Sequence, residues 1–460
     1  MSSDEEDLDL NDDTISQMDT VTDDGGEEVI DLPMPSPAPQ QQSTDDAPPS
    51  RRINLRLNLA TLTCHSYDCI PHVAAIHPFP IYSLATTKCF RWVLTGSEDG
   101  YIRKWDFFAS MNGKAMLTQA QRHQHVDSVT MAGVMSSWWE NEEWPVVAPT
   151  SAENIVKSET GETITNVPSQ PETTGKLSPV YSLDMHSEAL WALQGNENGN
   201  INLVTVRHDE GKCHHVLRKH TAPVSVLNIT PDETGVISGS WDKTVLEWDL
   251  NTGAVIRTYG GYSSQLSSAA FQPVFTPYEP NPSEPTDKST VDTTSTPASS
   301  QDTDPSLMND RKNPNMLLTT SIDGQCFLWD RREPDKNARR LGLPEKTPPW
   351  CLSACWSTDG TKIYAGRRNG TVDEWDYASQ KHIRSFRMPA NSGPVSYVTS
   401  MPNGNHIICA SNDNIRLWNT TIESSFVTYP DSDRSSKPSS STIPFTILPG
   451  HHGGCVSHIC

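Results

Sequence analysis

Eight consecutive residues, 137–144, read SWWENEEW and contain three tryptophans and three glutamates. Tryptophan side chains often supply much of the binding energy at protein interfaces, and neighbouring carboxylates favour a basic partner. We therefore predict a partner-binding surface made of Trp138, Trp139, Glu140, Glu142, Glu143 and Trp144. The competing interpretation is that the three rings pack this segment against the side of the fold. The segment has both roles if one ring is exposed and two are buried. The binding interpretation expects that replacing Trp138 and Trp139 with alanine leaves the thermal midpoint nearly unchanged.

Histidines are the next residues whose spacing suggests chemistry, because imidazoles are common metal ligands. The close pairs are His123 and His125, His214 and His215, and His451 and His452. None has a cysteine or carboxylate at the fixed spacing of a metal-binding motif, and the ten cysteines form no Cys-x-x-Cys pair. The sequence also lacks a phosphate-binding glycine loop between a strand and a helix. We predict no metal, no cofactor and no enzymatic activity.

The charge of the chain is strongly negative and concentrated at one end. The formal net charge is −22, and residues 1–50 contain fifteen Asp or Glu and no Lys or Arg. This charge disfavours direct binding to nucleic acid and favours a basic protein partner. We predict that residues 1–50 form a disordered tail, because they contain too little apolar surface to fold. The tail residues expected to contribute to partner binding are Asp4, Glu5, Glu6 and Asp7.

The Trp-rich segment lies within a repeat region that covers most of the chain. Each copy has an apolar strand, a polar turn, a second strand and then Trp followed by Asp or Asn. Five segments fit this order: 92–106, 236–249, 317–330, 362–376 and 407–419. Their turns often contain Asp-Gly or Asn-Gly, dipeptides that tolerate the positive φ angles of tight hairpins. A weaker copy at 190–206 has Val204 in place of Trp, and a further copy begins within 448–460.

The repeat resembles the WD-repeat (WD40) family over residues 52–460. This resemblance implies an all-β fold, the WD40 β-propeller with four-stranded blades. It also implies that a His, a Ser or Thr, the turn Asp and the Trp of a blade form a hydrogen-bonded structural set. The corresponding residues are Thr95, Asp99, Trp105, His220, Ser238, Asp242, Trp248, Thr319, Asp323, Trp329, Trp375, Trp418 and His451.

The length of the repeat region predicts six to seven blades of about 40–45 residues each. The last copy stops at Cys460 after its first strand, so we expect a truncated last blade or an open ring. We therefore divide the chain into a disordered acidic tail, 1–50, and a propeller, 51–460. Three insertions are expected in the propeller: a partly helical, Trp-rich segment at 107–176, a disordered loop at 273–315 and a loop at 428–444.

A closer resemblance includes the acidic tail and residues 96–144, which contain GSEDGYIRKWDF, LTQAQRHQHVDSVTMAGV and WWENEE. These features resemble the WD-repeat subunit of the fungal SAGA transcription coactivator, a member of the Spt group. The resemblance implies a nuclear, non-enzymatic subunit that binds the TATA-binding protein (TBP) and the other subunits of a SAGA-type complex. The sequence contains no run of about 18 apolar residues, so we also expect no contact with a membrane. It does not indicate whether the subunit recruits TBP to promoters or restrains it, or which propeller face docks on the complex.

Two other functions stay open for a propeller of this kind. Residues 329–332, WDRR, fit the short WD-x-Arg pattern of substrate receptors of cullin–DDB ubiquitin ligases. An acidic propeller face is also suited to reading basic histone tails. The acidic tail and the Trp-rich segment favour the coactivator function over both.

Overall fold

The computed structural model of the chain describes residues 64, 66–125, 129–143, 176–273, 315–333, 338–343, 348–422, 443–451 and 453–460. The tail at 1–50, Trp144 and nearly all of the loops predicted at 273–315 and 428–444 lie outside these ranges. None of the helices within them is long and apolar enough to cross a membrane.

The described residues form six four-stranded antiparallel sheets, which are the blades of a propeller. Blade 1 follows β1 (Val73–Ala74) and contains β2 (Ile81–Thr86), β3 (Trp92–Ser97), β4 (Tyr101–Asp106) and β6 (Val134–Glu140). The chain between β4 and β6 forms α1 (Phe107–Asn112), α2 (Gln119–His125) and β5 (Met131–Ala132). Two short strands, β7 (Glu142–Glu143) and β8 (Lys176–Leu177), connect blade 1 to blade 2.

The other five blades each use four consecutive strands. Blade 2 contains β9 (Ser182–Met185), β10 (Trp191–Gly195), β11 (Asn200–Thr205) and β12 (Cys213–Arg218). Blade 3 contains β13 (Val224–Ile229), β14 (Gly235–Ser240), β15 (Val245–Asp249) and β16 (Ala254–Tyr259). Blade 4 contains β17 (Leu266–Phe271), β18 (Met316–Ser321), β19 (Cys326–Asp330) and β20 (Arg339–Leu341). Blade 5 contains β21 (Ala354–Trp356), β22 (Lys362–Gly366), β23 (Thr371–Asp376) and β24 (His382–Arg387). Blade 6 contains β25 (Val395–Ser400), β26 (His406–Ser411), β27 (Ile415–Asn419) and β28 (Phe445–Leu448).

The burial of the strands follows from the stacking of the blades. The second strands β14, β18 and β26 are buried along their whole length, because neighbouring blades cover both faces of each sheet. The outermost strand β16 instead alternates between exposed and less exposed side chains. Tight turns join the second and third strands, and Gly100, Gly324 and Gly370 have positive φ there, as such hairpins require. The predicted all-β propeller is therefore confirmed.

The innermost strands of consecutive blades lie side by side, from β2 through β9, β13, β17 and β21 to β25. They surround a central cavity of about 570 Å³, which residues 455–458 and Cys460 also line. This last segment contacts the blades on both sides of it. The ring of His458 lies 5.4 Å from the ring of Tyr397 in β25, and Cys460 Sγ lies 3.1 Å from Thr86 Oγ1 in β2.

The seventh repeat copy does not form a further sheet in the part of the chain that the structure describes. Residues 449–451 and 453–460 contain no strand. His451 lies directly after the turn that follows β28, and its Nε2 atom has no hydrogen-bond partner among the described residues. The six to seven predicted blades are thus six within the described chain.

The structure corrects the interpretation of 107–176 as an insertion outside the blades. The first part is partly helical, as expected, because it contains α1 and α2. Residues 134–140, however, form the fourth strand of blade 1, where Trp138 pairs with Arg103 and Trp139 with Ile102 of β4. The interpretation was wrong there because an outermost strand pairs on one edge only and is partly exposed on both faces. Its apolar residues therefore show no clear alternation in the sequence.

Candidate partner-binding surface

Trp138 and Trp139 are neighbours on β6 and therefore point to opposite faces of blade 1. The side chain of Trp139 is 6% exposed and packs between blades 1 and 2, whereas that of Trp138 is 57% exposed. The Trp-rich segment thus contributes one ring to the core and one to the surface.

Trp139 is held mainly by blade 2. It belongs to a buried cluster that includes Val180, Leu183, Met185 and Val204. Gly211 lies against the ring with a φ of +79°, and a Cβ atom at this position would overlap the Trp139 side chain. Only glycine fits here, because it tolerates positive φ and leaves room for the ring.

Trp138 forms an aromatic and acidic surface with two neighbours. Its ring lies 5.4 Å from that of Tyr101, edge to face. The Tyr101 hydroxyl donates a hydrogen bond of 3.1 Å to Glu140 Oε1, and the Glu140 carboxylate raises the pKa of Tyr101. Trp138, Tyr101 and Glu140 form one exposed patch, which we call the β6 patch.

The remaining glutamates of the segment lie on β7, beside the β6 patch. Glu142 and Glu143 pair with Leu177 and Lys176 of β8 and are half-buried. Blade 2 fixes the backbone here, because Asn202 Nδ2 donates to the carbonyl oxygen of Glu142 at 2.9 Å. Trp144 and the tail residues Asp4, Glu5, Glu6 and Asp7 lie outside the described residues.

A cavity of about 320 Å³ opens between blades 1 and 2, beside the β6 patch. We call it the inter-blade cavity. Its lining consists of Trp138, Trp139, Glu140, Glu142, Gln194, Asn202, Val204, Gly211 and Cys213. The patch and the cavity therefore share Trp138 and Glu140.

The structural set of blade 3 is a continuous chain of hydrogen bonds. Trp248 Nε1 donates to Ser238 Oγ at 2.7 Å, and this hydroxyl lies 2.8 Å from His220 Nε2. His220 Nδ1 lies 2.8 Å from Asp242 Oδ2. Burial lowers the pKa of His220, and the Asp242 carboxylate only partly opposes this, so a neutral ring accepts from Ser238 and donates to Asp242.

Blade 1 contains a similar chain with a histidine that the sequence analysis did not identify. Trp105 Nε1 donates to Thr95 Oγ1 at 2.9 Å, and Thr95 Oγ1 lies 2.7 Å from His77 Nε2. Asp99 does not join this chain but pairs with Arg103 at 2.6 Å. A signal was present, because His77 precedes Thr95 by the same 18 residues that separate His220 from Ser238.

The other blades vary this arrangement. In blade 4 the hydroxyl of Tyr262 takes the histidine's position, 2.7 Å from Thr319 Oγ1, to which Trp329 Nε1 donates at 2.8 Å. Asp323 accepts from Ser321 of its own turn and from Ser263, the residue after Tyr262. Trp375 of blade 5 and Trp418 of blade 6 are fully buried, and the Trp375 ring packs against the Arg367 guanidinium.

Comparisons with known proteins identify the family of this chain. The model of the SPT8 β-propeller family matches residues 67–293 and 278–460. The SAGA complex subunit Spt8 of Schizosaccharomyces pombe is 39% identical, with 88% of this chain and 76% of the relative aligned. The SAGA complex subunit SPT8 of Saccharomyces cerevisiae is 34% identical, with 88% of this chain and 69% of the relative aligned. A guanine nucleotide-binding protein subunit beta of Zea mays is 25% identical over 74% of this chain and 81% of its own length. The chain belongs to the Spt8 β-propeller family.

Proposed function

We propose that the protein is a non-enzymatic, nuclear subunit of a SAGA-type transcription coactivator complex that binds TBP and regulates its recruitment to promoters. The observation that carries the proposal is the similarity to two relatives named as SAGA complex subunits, which in each case extends over 88% of this chain. A propeller suits this role, because a rigid scaffold holds binding loops and strand edges in fixed positions.

The β6 patch is the contact surface that we propose for a basic partner. Its exposed indole, tyrosine ring and carboxylate can receive a lysine or arginine through cation–π contact and charge-assisted hydrogen bonds. TBP fits this description in its chemistry, because a protein that binds DNA presents basic side chains to the phosphates.

Residues 1–50 add a second contribution to the proposed contact. Their fifteen carboxylates attract a basic partner over a long range and speed the encounter more than they tighten the complex. They also compete with DNA for the same basic surface. Binding that depends on these residues therefore weakens with increasing salt.

A pull-down of purified TBP tests the proposal with four proteins: the full chain, residues 51–460, Trp138→Ala and Ile256→Ala. Ile256 is a matched control, because it is 62% exposed on the outermost strand of blade 3. We expect the full chain and the control to retain TBP, and the other two to retain less. If none of the folded proteins retains TBP, the TBP part of the proposal is wrong.

The WD-x-Arg alternative is tested beside it. The Arg332 guanidinium, whose side chain is 63% exposed, pairs with Asp330 at 2.9 Å. Capture of a cullin–DDB adaptor by the full chain and its loss in Arg332→Ala would support the ligase-receptor function. Capture of histone-tail peptides instead would support the reader function.

A further inference from the structure

The inter-blade cavity exists because blade 2 departs from the repeat. In five blades the second-to-last residue of the third strand is tryptophan, whereas β11 of blade 2 has Val204 there. The smaller side chain leaves space that Trp139 of blade 1 fills only in part. The volume of about 320 Å³ is at the lower end of the range of small-ligand pockets.

Three side chains that line this cavity carry buried polar atoms with no hydrogen-bond partner among the described residues. They are Gln194 Oε1 and Nε2, Asn202 Oδ1 and Trp139 Nε1. Gln194 is 0% and Asn202 2% exposed, so bulk water does not reach them freely. An unpartnered buried polar group costs about 1–3 kcal/mol, and such groups are rare in native proteins. Their arrangement around one cavity indicates a polar occupant.

The lining also fixes the charge of that ligand. Asn202 Nδ2 donates to the carbonyl oxygen of Glu142, which leaves its Oδ1 as an acceptor facing no protein donor. Glu142 contributes a carboxylate, and the lining contains no Lys or Arg. The amide acceptors and this carboxylate together favour a cation with several N–H donors.

We propose that the inter-blade cavity binds an arginine side chain of a partner protein. A guanidinium has five N–H donors in a plane, so it can satisfy Gln194 Oε1, Asn202 Oδ1 and a carboxylate at once. A backbone carbonyl of the partner accepts from Trp139 Nε1. This inference rests on the proposed function only for the identity of the partner.

The test is a titration of the full chain, labelled with 5-fluorotryptophan, followed by ¹⁹F NMR. The Trp138→Phe and Trp139→Phe variants assign the two relevant signals. The probe is the peptide acetyl-Ser-Arg-Ser-amide, and the matched peptides contain citrulline, which is neutral and has nearly the same shape, or lysine. We expect a saturable shift of the Trp139 signal with arginine, none with citrulline and a weaker shift with lysine.

Two variants probe the cavity wall. Glu142→Gln should weaken the arginine peptide about tenfold, because a charge-assisted hydrogen bond is lost. Glu188→Gln, which changes an exposed residue of blade 2 outside the lining, should leave the affinity for this peptide unchanged. Gln194→Leu should weaken the peptide and also raise the thermal midpoint of the free protein, since it removes two unpartnered atoms.

Three results would overturn the proposal. The first is no shift of the Trp139 signal, which would mean that the cavity holds water only. The second is an equal shift with the citrulline or lysine peptide. The third is unchanged binding of the arginine peptide by Gln194→Leu. The outcome is separable from that of the TBP experiment. Arginine binding without TBP capture would support the proposed cavity site and contradict the proposal that TBP is the partner. TBP capture without arginine binding would support TBP as the partner and contradict the cavity site.

Discussion

The two adjacent tryptophans of β6 should respond oppositely to replacement by alanine. Trp139 is 6% exposed and sits in the core between blades 1 and 2, whereas Trp138 is 57% exposed. We expect Trp139→Ala to lower the free energy of unfolding strongly and Trp138→Ala to change it little. This differs from the sequence-based expectation that replacing both leaves the thermal midpoint unchanged, because that expectation placed neither ring in the core.

The size of the Trp139 effect follows from its burial. A buried tryptophan removes about 150–250 Å² from water, which at about 25 cal/mol per Å² stabilises the fold by about 4–6 kcal/mol. The unpartnered Nε1 offsets about 1–3 kcal/mol of this. The net loss in Trp139→Ala is therefore about 1–5 kcal/mol, with a central value of about 3 kcal/mol, at the lower end of the range known for buried aromatic residues. An exposed surface substitution changes stability by about 0.5 kcal/mol or less.

Thermal unfolding followed by circular dichroism measures the difference. In a propeller of this size the loss corresponds to a fall in Tm of about 4 °C for Trp139→Ala. Trp138→Ala should stay within about 1 °C of the parent. Equal falls in the two variants, or a stable Trp139→Ala, would refute the assignment of one ring to the core and one to the surface.

Three further predictions concern a glycine beside Trp139, the buried histidines and the acidic tail. Gly211→Ala should destabilise the fold by more than the ~1–2 kcal/mol that an alanine costs in a left-handed conformation, because its Cβ would overlap Trp139. Gly261 also has a positive φ but lies in open space, so Gly261→Ala should cost only this conformational energy. Urea unfolding of the two variants measures the difference. Burial lowers the pKa of His220, and that of His458 to about 4, so at these two groups the unfolded chain binds more protons than the folded chain below pH 6.5. The buried Asp184, whose pKa is raised to about 6, offsets only part of this effect, so stability should fall as the pH drops from 7 to 5. A Tm that is unchanged or higher at pH 5 would contradict this. TBP binding by the full chain should weaken more steeply between 50 and 300 mM salt than binding by residues 51–460, and equal slopes would exclude a steering role for the tail.

The repeat made the blades predictable, because each copy combines apolar strands, a turn with a required φ and a tryptophan at a fixed distance. Trp375 and Trp418 are buried as that pattern implies. Tyr262 could not be found in the same way. It replaces histidine with a different residue type, and the 273–315 segment separates it from Thr319 in the sequence.

The candidate surface was only partly predictable. Composition marked Trp138 and Trp139 as unusual, but not which ring faces solvent, because that depends on the register of β6 against β4. The sequence shows that Val204 replaces the tryptophan of the other copies. It does not show that this replacement leaves a cavity between blades 1 and 2. The unpartnered atoms of Gln194 and Asn202 arise only when blade 2 packs against Trp139.

The inter-blade cavity and the stability of the ring are therefore coupled through one side chain. Trp139 belongs to the core of blades 1 and 2 and also forms a wall of the cavity. A partner that enters the cavity meets a wall already fixed by two blades, so little conformational entropy is lost there on binding. The unpartnered polar atoms destabilise the free protein. In the proposed complex the ligand forms hydrogen bonds with them, so this destabilisation is reduced on binding. A ligand that pairs them should therefore raise the thermal midpoint of the full chain, and it should raise it less in Gln194→Leu, where only part of the unpaired set is left to satisfy.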